Sequence, residues 1–239
     1  MDSLHIFIGY DPREAVAYHV CANSAIRHSS KPIVFHPLAL TNFKSFYEEN
    51  HNTKTGLTET EPTNQFIFSR FLTPYLMDYH GLALFADGDQ IFRDDPAKLF
   101  DLHQWGKAVS VVKHDYKTKF PVKYLNQVNM DYERKNWSSV MLFDCGHFDC
   151  KKLTPEYVQN ATGKQLHRFE WAKDEHIGML PNEWNWLPDE HGANKYAKLV
   201  HWTCGTPCFL EPEYSLAPMA AEWHRERMLT DYSMQVFVP

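Results

Sequence analysis

The chain has 239 residues, 44% of them hydrophobic, which suffices for one well-buried core and lies near the upper end of what a single α/β domain needs. Its formal charge of -6, from 24 Lys and Arg against 30 Asp and Glu, argues against a nucleic-acid binder and means that a nucleotide ligand needs help from a cation. No run reaches the roughly 18 apolar residues of a membrane span, and Met1-Asp2-Ser3-Leu4-His5 lacks the basic then apolar layout of a signal peptide, so a cytoplasmic protein without a transmembrane segment is expected.

His5-Ile6-Phe7-Ile8-Gly9-Tyr10 reads as a buried strand. Asp11-Pro12-Arg13-Glu14 then starts a helix, with an acid at the cap, Pro at the first helical position and Glu three residues on. Val16, Val20 and Ile26 mark the apolar face of that helix, and Lys31-Pro32-Ile33-Val34-Phe35 begins a second strand. Strand, helix, strand predicts a parallel pair. Residues 41–64 are polar and aperiodic, as in a mobile flap. A helical stretch is expected from about Gln65 to Tyr79, where Pro74 either kinks the helix or opens a second one capped by Thr73.

Leu82-Ala83-Leu84-Phe85-Ala86 is wholly apolar, the pattern of a central strand covered on both faces. Further strands are predicted at Ala108 to Val112, Val140 to Phe143 and Ala197 to Val200, which makes the sheet mixed. A last amphipathic helix is expected from about Leu216 to Leu229, with Met219, Trp223 and Met228 facing inward. Cys21, Cys145, Cys150, Cys204 and Cys208 form an odd set without a CxxC pair, which supports neither a disulfide framework nor a cysteine zinc site.

Chemistry concentrates where the apolar strand ends in Asp87-Gly88-Asp89. Two carboxylates at the carboxyl end of a strand stand where open α/β sheets collect ligands, and oxygen donors suit Mn²⁺ or Mg²⁺. The same tripeptide also serves as an ordinary turn. Its surroundings decide for chemistry, because the stretch from Ser69-Arg70-Phe71-Leu72 to Asp87-Gly88-Asp89-Gln90-Ile91-Phe92 resembles the heart of the family-8-like retaining glycosyltransferases. Arg70 precedes Asp87 by 17 positions, matching that family's spacing.

Other patches resemble the family in the same order. Ile6-Phe7-Ile8-Gly9-Tyr10-Asp11 is similar to its nucleotide-binding strand and turn, Trp137-Ser138-Ser139-Val140-Met141-Leu142 to its Asn-Ala-Gly-Val strand, and Leu199-Val200-His201-Trp202 to its late histidine ligand. Asp174-Glu175 resembles its Asp-Gln element, and Trp184, Leu187 and Pro188 resemble the Trp and Leu-Pro that trail that element.

The resemblance implies a single GT-A (Rossmann-like) domain over 1–239, with a central mixed, mostly parallel sheet flanked by helices. Within it, about 1–112 would form the nucleotide-binding part and about 113–239 the acceptor and late metal-ligand part. It further implies metal ligation by Asp87, Asp89 and His201, donor contacts from Gly9, Tyr10, Asp11, Arg70, Gly88 and Gly205, and a reacting-centre pair in Asp174 and Glu175. The expected ligands are Mn²⁺ or Mg²⁺, a nucleotide sugar, with UDP as the nucleotide, and a glycan or other hydroxyl acceptor, with retention at the anomeric carbon.

The sequence departs from the pattern in three places. Trp137 replaces the family's Asn, Glu175 replaces its Gln, and Gly205-Thr206-Pro207-Cys208 lacks its phosphate-binding Lys, a task left to the metal with Arg70 or a loop lysine. Lys113, Lys117, Lys119 and Lys123, interleaved with Tyr116, Phe120 and Tyr124, supply such a loop. Two rival classes remain. One is a nucleotide-sugar or glycan binder without turnover on the same scaffold. The other is a haloacid-dehalogenase-like phosphatase, whose Asp-x-Asp lies nearer the chain start and is followed by an element absent here.

Overall fold

The computed structural model describes residues 3–43, 66–123 and 127–231. Leu4–Tyr10 forms β1, and Asp11 closes it by accepting the Arg13 amide at 3.0 Å, so that Pro12–Glu14 turns directly into helix α1, Ala15–His28. This is the acid-capped start the sequence predicts. The helix returns the chain to β2, Ile33–Ala39, which pairs in parallel with β1.

β3 (Leu82–Ala86) lies on the other side of β1, and Gln90–Phe92 follows as β4. The sheet is completed by β5 (Val109–Val111), β8 (Val140–Asp144) and β9 (Ile177–Met179), in the order β2-β1-β3-β8-β5-β9. Only β8 runs against its neighbours. This is a mixed, mostly parallel six-stranded sheet with flanking helices, as expected. Two small ribbons stand apart: β6 (Val122–Lys123) with β7 (Gln127–Val128), and β4 with β10 (Leu199–His201).

Strand alternation builds a core on each face. Phe7, Phe85, Met141 and Phe143 point to one side, while Ile6, Ile8, Leu84 and Leu142 point to the other. β3 therefore has no solvated face, which explains its unbroken apolar run. A third cluster, centred on Val200, Trp202 and Trp223, packs the β4–β10 ribbon on the C-terminal helix Ala220–Asp231.

Several expectations are corrected. The stretch before β3 is no continuous helix: Ser69–Leu72 is a 3₁₀ turn, and Pro74 opens a separate short helix, Thr73–Leu76. Thr73 does not cap it, because its hydroxyl donates back to the Arg70 carbonyl at 2.9 Å. Ile26 and Met228 are exposed, since α1 and the last helix each bury a narrow stripe, Ala17, Val20, Cys21 and Ala25 in the first and Ala220 and Trp223 in the second. Ala197 to Val200 forms its strand at Leu199–His201, outside the main sheet. Beyond Phe43, the expected flap lies outside the described residues. All five cysteines are free thiols. No helix among the described residues is long and apolar enough to cross a membrane.

His167 carries an acid-sensitivity prediction. It is buried beneath the sheet, with Nδ1 2.6 Å from the Ser138 hydroxyl and its ring edge-on to Phe71. Burial, reinforced by the Arg70 charge, depresses its pKa to about 3. A histidine that stays neutral when folded but takes a proton near pH 6.5 when unfolded favours the unfolded state as the pH falls through that window. Between pH 6.5 and 5 this costs roughly 2 kcal/mol. His167→Asn should therefore show a shallower fall of Tm with acidification over that range, whatever its stability at neutral pH; an unchanged slope would refute this.

Candidate metal and donor site

Asp87 and Asp89 sit where β3 passes into β4, against the turn that ends β1. The loops touch so closely that a Cβ on Gly88 would stand 2.6 Å from the Gly9 carbonyl oxygen. A glycine is required there by backbone contact rather than by dihedral freedom. Thus Gly9, at the end of β1, is brought beside Gly88. Asp11 caps the turn and is also gripped by Arg13, at 2.9 Å from Nε and 2.6 Å from Nη2.

Arg70 is almost fully buried. Its Nη1 lies 2.9 Å from Asp87 Oδ1 and 2.9 Å from the Ser138 carbonyl oxygen, and its guanidinium carbon lies 5.2 and 4.9 Å from the ring centroids of Phe66 and Phe85. This contradicts a solvated-face role and makes Arg70 the fixed countercharge of Asp87. The Asp87 carboxyl is nonetheless pushed above its ordinary range by burial, which outweighs Arg70.

His201 closes the cluster from the end of β10. Its Nε2 is 3.2 Å from Asp89 Oδ1 and 3.8 Å from Asp87 Oδ2. Its other nitrogen, Nδ1, is 3.0 Å from Asn185 Oδ1, and Asn185 in turn donates to the Ser139 hydroxyl at 2.8 Å. The Ser139 hydroxyl donates to the Asn136 carbonyl, so the chain of bonds assigns the Asn185 oxygen to His201 and the proton to Nδ1. Nε2 then faces the two carboxylates, the position from which a histidine binds a metal in place of a proton. Burial alone would lower the pKa of His201, but Asp89, Asp87 and Asp189 outweigh it and hold it above the ordinary value.

One ligand atom from each of Asp87, Asp89 and His201 falls within 4.8 Å of the others. Asp87 Oδ1 meets the Arg70 guanidinium and Asp89 Oδ1 meets His201 Nε2, and neither oxygen accepts a further hydrogen bond. Carboxylate oxygens with lone pairs to spare at a site this acidic fit a divalent cation, and the two oxygens and one imidazole nitrogen fit Mn²⁺ or Mg²⁺.

Several neighbours escape sequence reasoning. Asp189 accepts the Cys204 amide at 3.1 Å, and its carboxyl is raised to about 6 by burial. Glu14 is buried against the Thr206 hydroxyl, with its carboxyl raised by burial and by the charge of Asp89. Lys123, on the β6–β7 ribbon, has its ammonium disfavoured by burial and by Lys135, and favoured by Asp89 and Asp87. The Lys119 ammonium is tied instead to the Glu190 carbonyl at 2.6 Å. Gly205 is buried beside Tyr214, whose ring a Cβ would meet at 2.6 Å. Trp184, Trp202 and Trp223 are core residues, and Tyr124 lies outside the described residues.

Asp174 and Glu175 are not brought to this cluster. They precede β9, which runs in the same direction as β3, and so stand at the end of the sheet opposite Asp87. The strand starts at Ile177, leaving no intervening chain to carry the pair across. Asp174 pairs with Arg134 at 2.5 Å, and the exposed Glu175 faces Lys173 and His176.

No known protein-family model matches the chain. Among solved structures, the bifunctional glycosyltransferase WbbM matches 98% of this chain and 51% of its own length, with a TM-score of 0.65 and 14% identity. The galactosyltransferase LgtC, solved with donor and acceptor sugar analogues, matches 94% of this chain and 95% of its own, with a TM-score of 0.63 and 13% identity. The fold is that of the GT-A-type glycosyltransferases. In sequence, Protein CDI of Arabidopsis thaliana is 41% identical over 213 residues, covering 85% of this chain and 79% of that protein, and the chain belongs to the Protein CDI family.

Proposed function

We propose that this protein transfers a sugar from a nucleotide-sugar donor, with UDP as the expected nucleotide, to a hydroxyl acceptor with the help of Mn²⁺ or Mg²⁺. The observation that carries the reading is the convergence of Asp87, Asp89 and His201, one ligand atom of each within 4.8 Å of the others, at the carboxyl end of β3 in this fold. A divalent ion held there supplies charge neutralisation for a diphosphate leaving group. Arg70 fixes Asp87, Asn185 fixes the His201 ring, and the Gly9–Gly88 contact sets the two loops at one distance. Gly9, Tyr10 and Asp11 face the nucleotide on this reading. Lys123 is the candidate for the lysine missing after Gly205, since Asp89 and Asp87 favour its ammonium against the burial and the Lys135 charge that disfavour it.

The nucleotide half, about 1–112, and the acceptor half, about 113–239, each contribute ligands to the cluster. Retention is carried over from the resemblance, without Glu175 as the reacting group. Asp189 is the acid this fold offers beside His201 and Asp89 instead.

Thermal shift against a panel of nucleotide sugars, with and without Mn²⁺, tests the reading. A donor present at 100-fold its Kd adds about 2.7 kcal/mol of stability. The expected result is the largest shift with a UDP-sugar plus Mn²⁺, accompanied by slow donor hydrolysis and no attack on simple phosphomonoesters. No shift with any nucleotide sugar would overturn it, and binding without turnover in the presence of acceptors would leave a binding protein.

A further inference from the structure

We propose a second metal site, for a Zn²⁺-class transition ion, formed by His147, Asp149 and His176 at the end of the sheet opposite Asp87. His147 and Asp149 follow β8, and His176 directly precedes β9, so the three join the segments that flank β5. One ligand atom from each lies within 4.8 Å of the others, and the two imidazole rings meet edge to face with centroids 4.8 Å apart.

The atoms converge with suitable chemistry. His176 Nδ1 is 2.6 Å from Asp149 Oδ2, and His147 Nδ1 accepts the Asp149 amide at 3.1 Å, a bond the ring gives up if that nitrogen turns to an ion. An ion there would replace the proton shared by His176 and Asp149, and the His176 proton would move to Nε2. That atom already lies 3.6 Å from the Glu175 carboxylate, an acceptor able to hold the required tautomer. Burial, with the neighbouring His176, keeps His147 below its ordinary pKa and hence neutral. Asp149 is completely buried, and its other oxygen is held by the Lys152 ammonium, which leaves Oδ2 fixed in direction.

Two imidazole nitrogens and a single carboxylate oxygen select Zn²⁺ or Co²⁺ over Mg²⁺ or Ca²⁺, which require more oxygen ligands. The first cluster, with two carboxylates and one histidine, has the opposite preference. The ligands bridge the exit of β8 and the start of β9, which marks the site as a clamp on the sheet edge.

The test is calorimetric titration of Zn²⁺ into the metal-stripped full chain carrying Asp89→Asn, which removes a ligand of the first cluster and separates the two proposals. One bound equivalent, a raised Tm and visible absorption of tetrahedral Co²⁺ are expected. Adding His147→Ala should weaken binding at least tenfold and abolish the Tm rise. His147 is partly exposed and loses one local hydrogen bond and its ring contacts with Phe148 and His176, all near the surface, so the variant keeps its fold. His176→Gln should weaken binding likewise. Absence of a bound equivalent, or unchanged affinity in His147→Ala, overturns the proposal.

Discussion

Replacing Asp89 by Asn is expected to abolish Mn²⁺-dependent UDP binding, lowering affinity by at least about 100-fold, or 2.7 kcal/mol, while leaving the protein folded. Asp89 supplies a carboxylate oxygen 3.2 Å from His201 and adds unfavourable charge to both Asp87 and Glu14. Neutralising it relieves repulsion in the apo protein, so Tm without metal should hold or rise even as the ion loses its ligand. His201→Ala should weaken the same binding less, by about tenfold, since one of three ligands is lost and both carboxylates remain. Equal nucleotide affinity in wild type and Asp89→Asn, measured by calorimetry with and without Mn²⁺, would remove the metal from the mechanism. A lowered Tm in His201→Ala with unaltered binding would reduce that histidine to a structural link to Asn185.

What the sequence revealed followed from short-range pattern. The cap at Asp11, the apolar run of β3 and the carboxylates at its end are local signals, and each is where it was expected. Parallel pairing of β1 and β2 followed from the helix between them. The rest depended on distant contacts. Asn185 acquires its role only because β10 lies beside Trp186, and nothing in its own segment marks it as the partner of His201. Lys123 and Asp189 reach the acidic cluster through folding of the aromatic middle of the chain, which lacks strong periodicity. Glu175 failed for a converse reason: local similarity placed it at a donor site, but strand direction put it at the other end of the sheet. Ile26 and Met228 show the same limit on a smaller scale, since a helical stripe fixes which residues share a face but not how wide a face the neighbours cover.

The largest stability effect is expected from Arg70→Ala. Arg70 combines three functions in one buried side chain: it neutralises Asp87, donates to the Phe66 and Ser138 carbonyls, and packs against the rings of Phe66 and Phe85. Deleting it leaves Asp87 buried beside Asp89 without its countercharge, stranded as an anion or forced to take up a proton, and removal of one partner of such a pair costs about 3 to 5 kcal/mol. Arg70→Lys should cost less, because the charge survives while the fork that reaches two carbonyls does not. If the cost is mainly the stranded carboxylate, Arg70→Ala combined with Asp87→Asn should be more stable than Arg70→Ala alone, a non-additivity readable by chemical denaturation. If it is mainly lost packing, the second substitution should recover nothing. Mn²⁺ offers an independent reading of the same charge: an ion at Asp87 and Asp89 replaces the missing countercharge, so it should raise the Tm of Arg70→Ala by more than that of wild type. Equal shifts in the two proteins would mean that the stranded carboxylate and the metal site are not electrostatically coupled, and would contradict the assignment of Asp87 as a ligand.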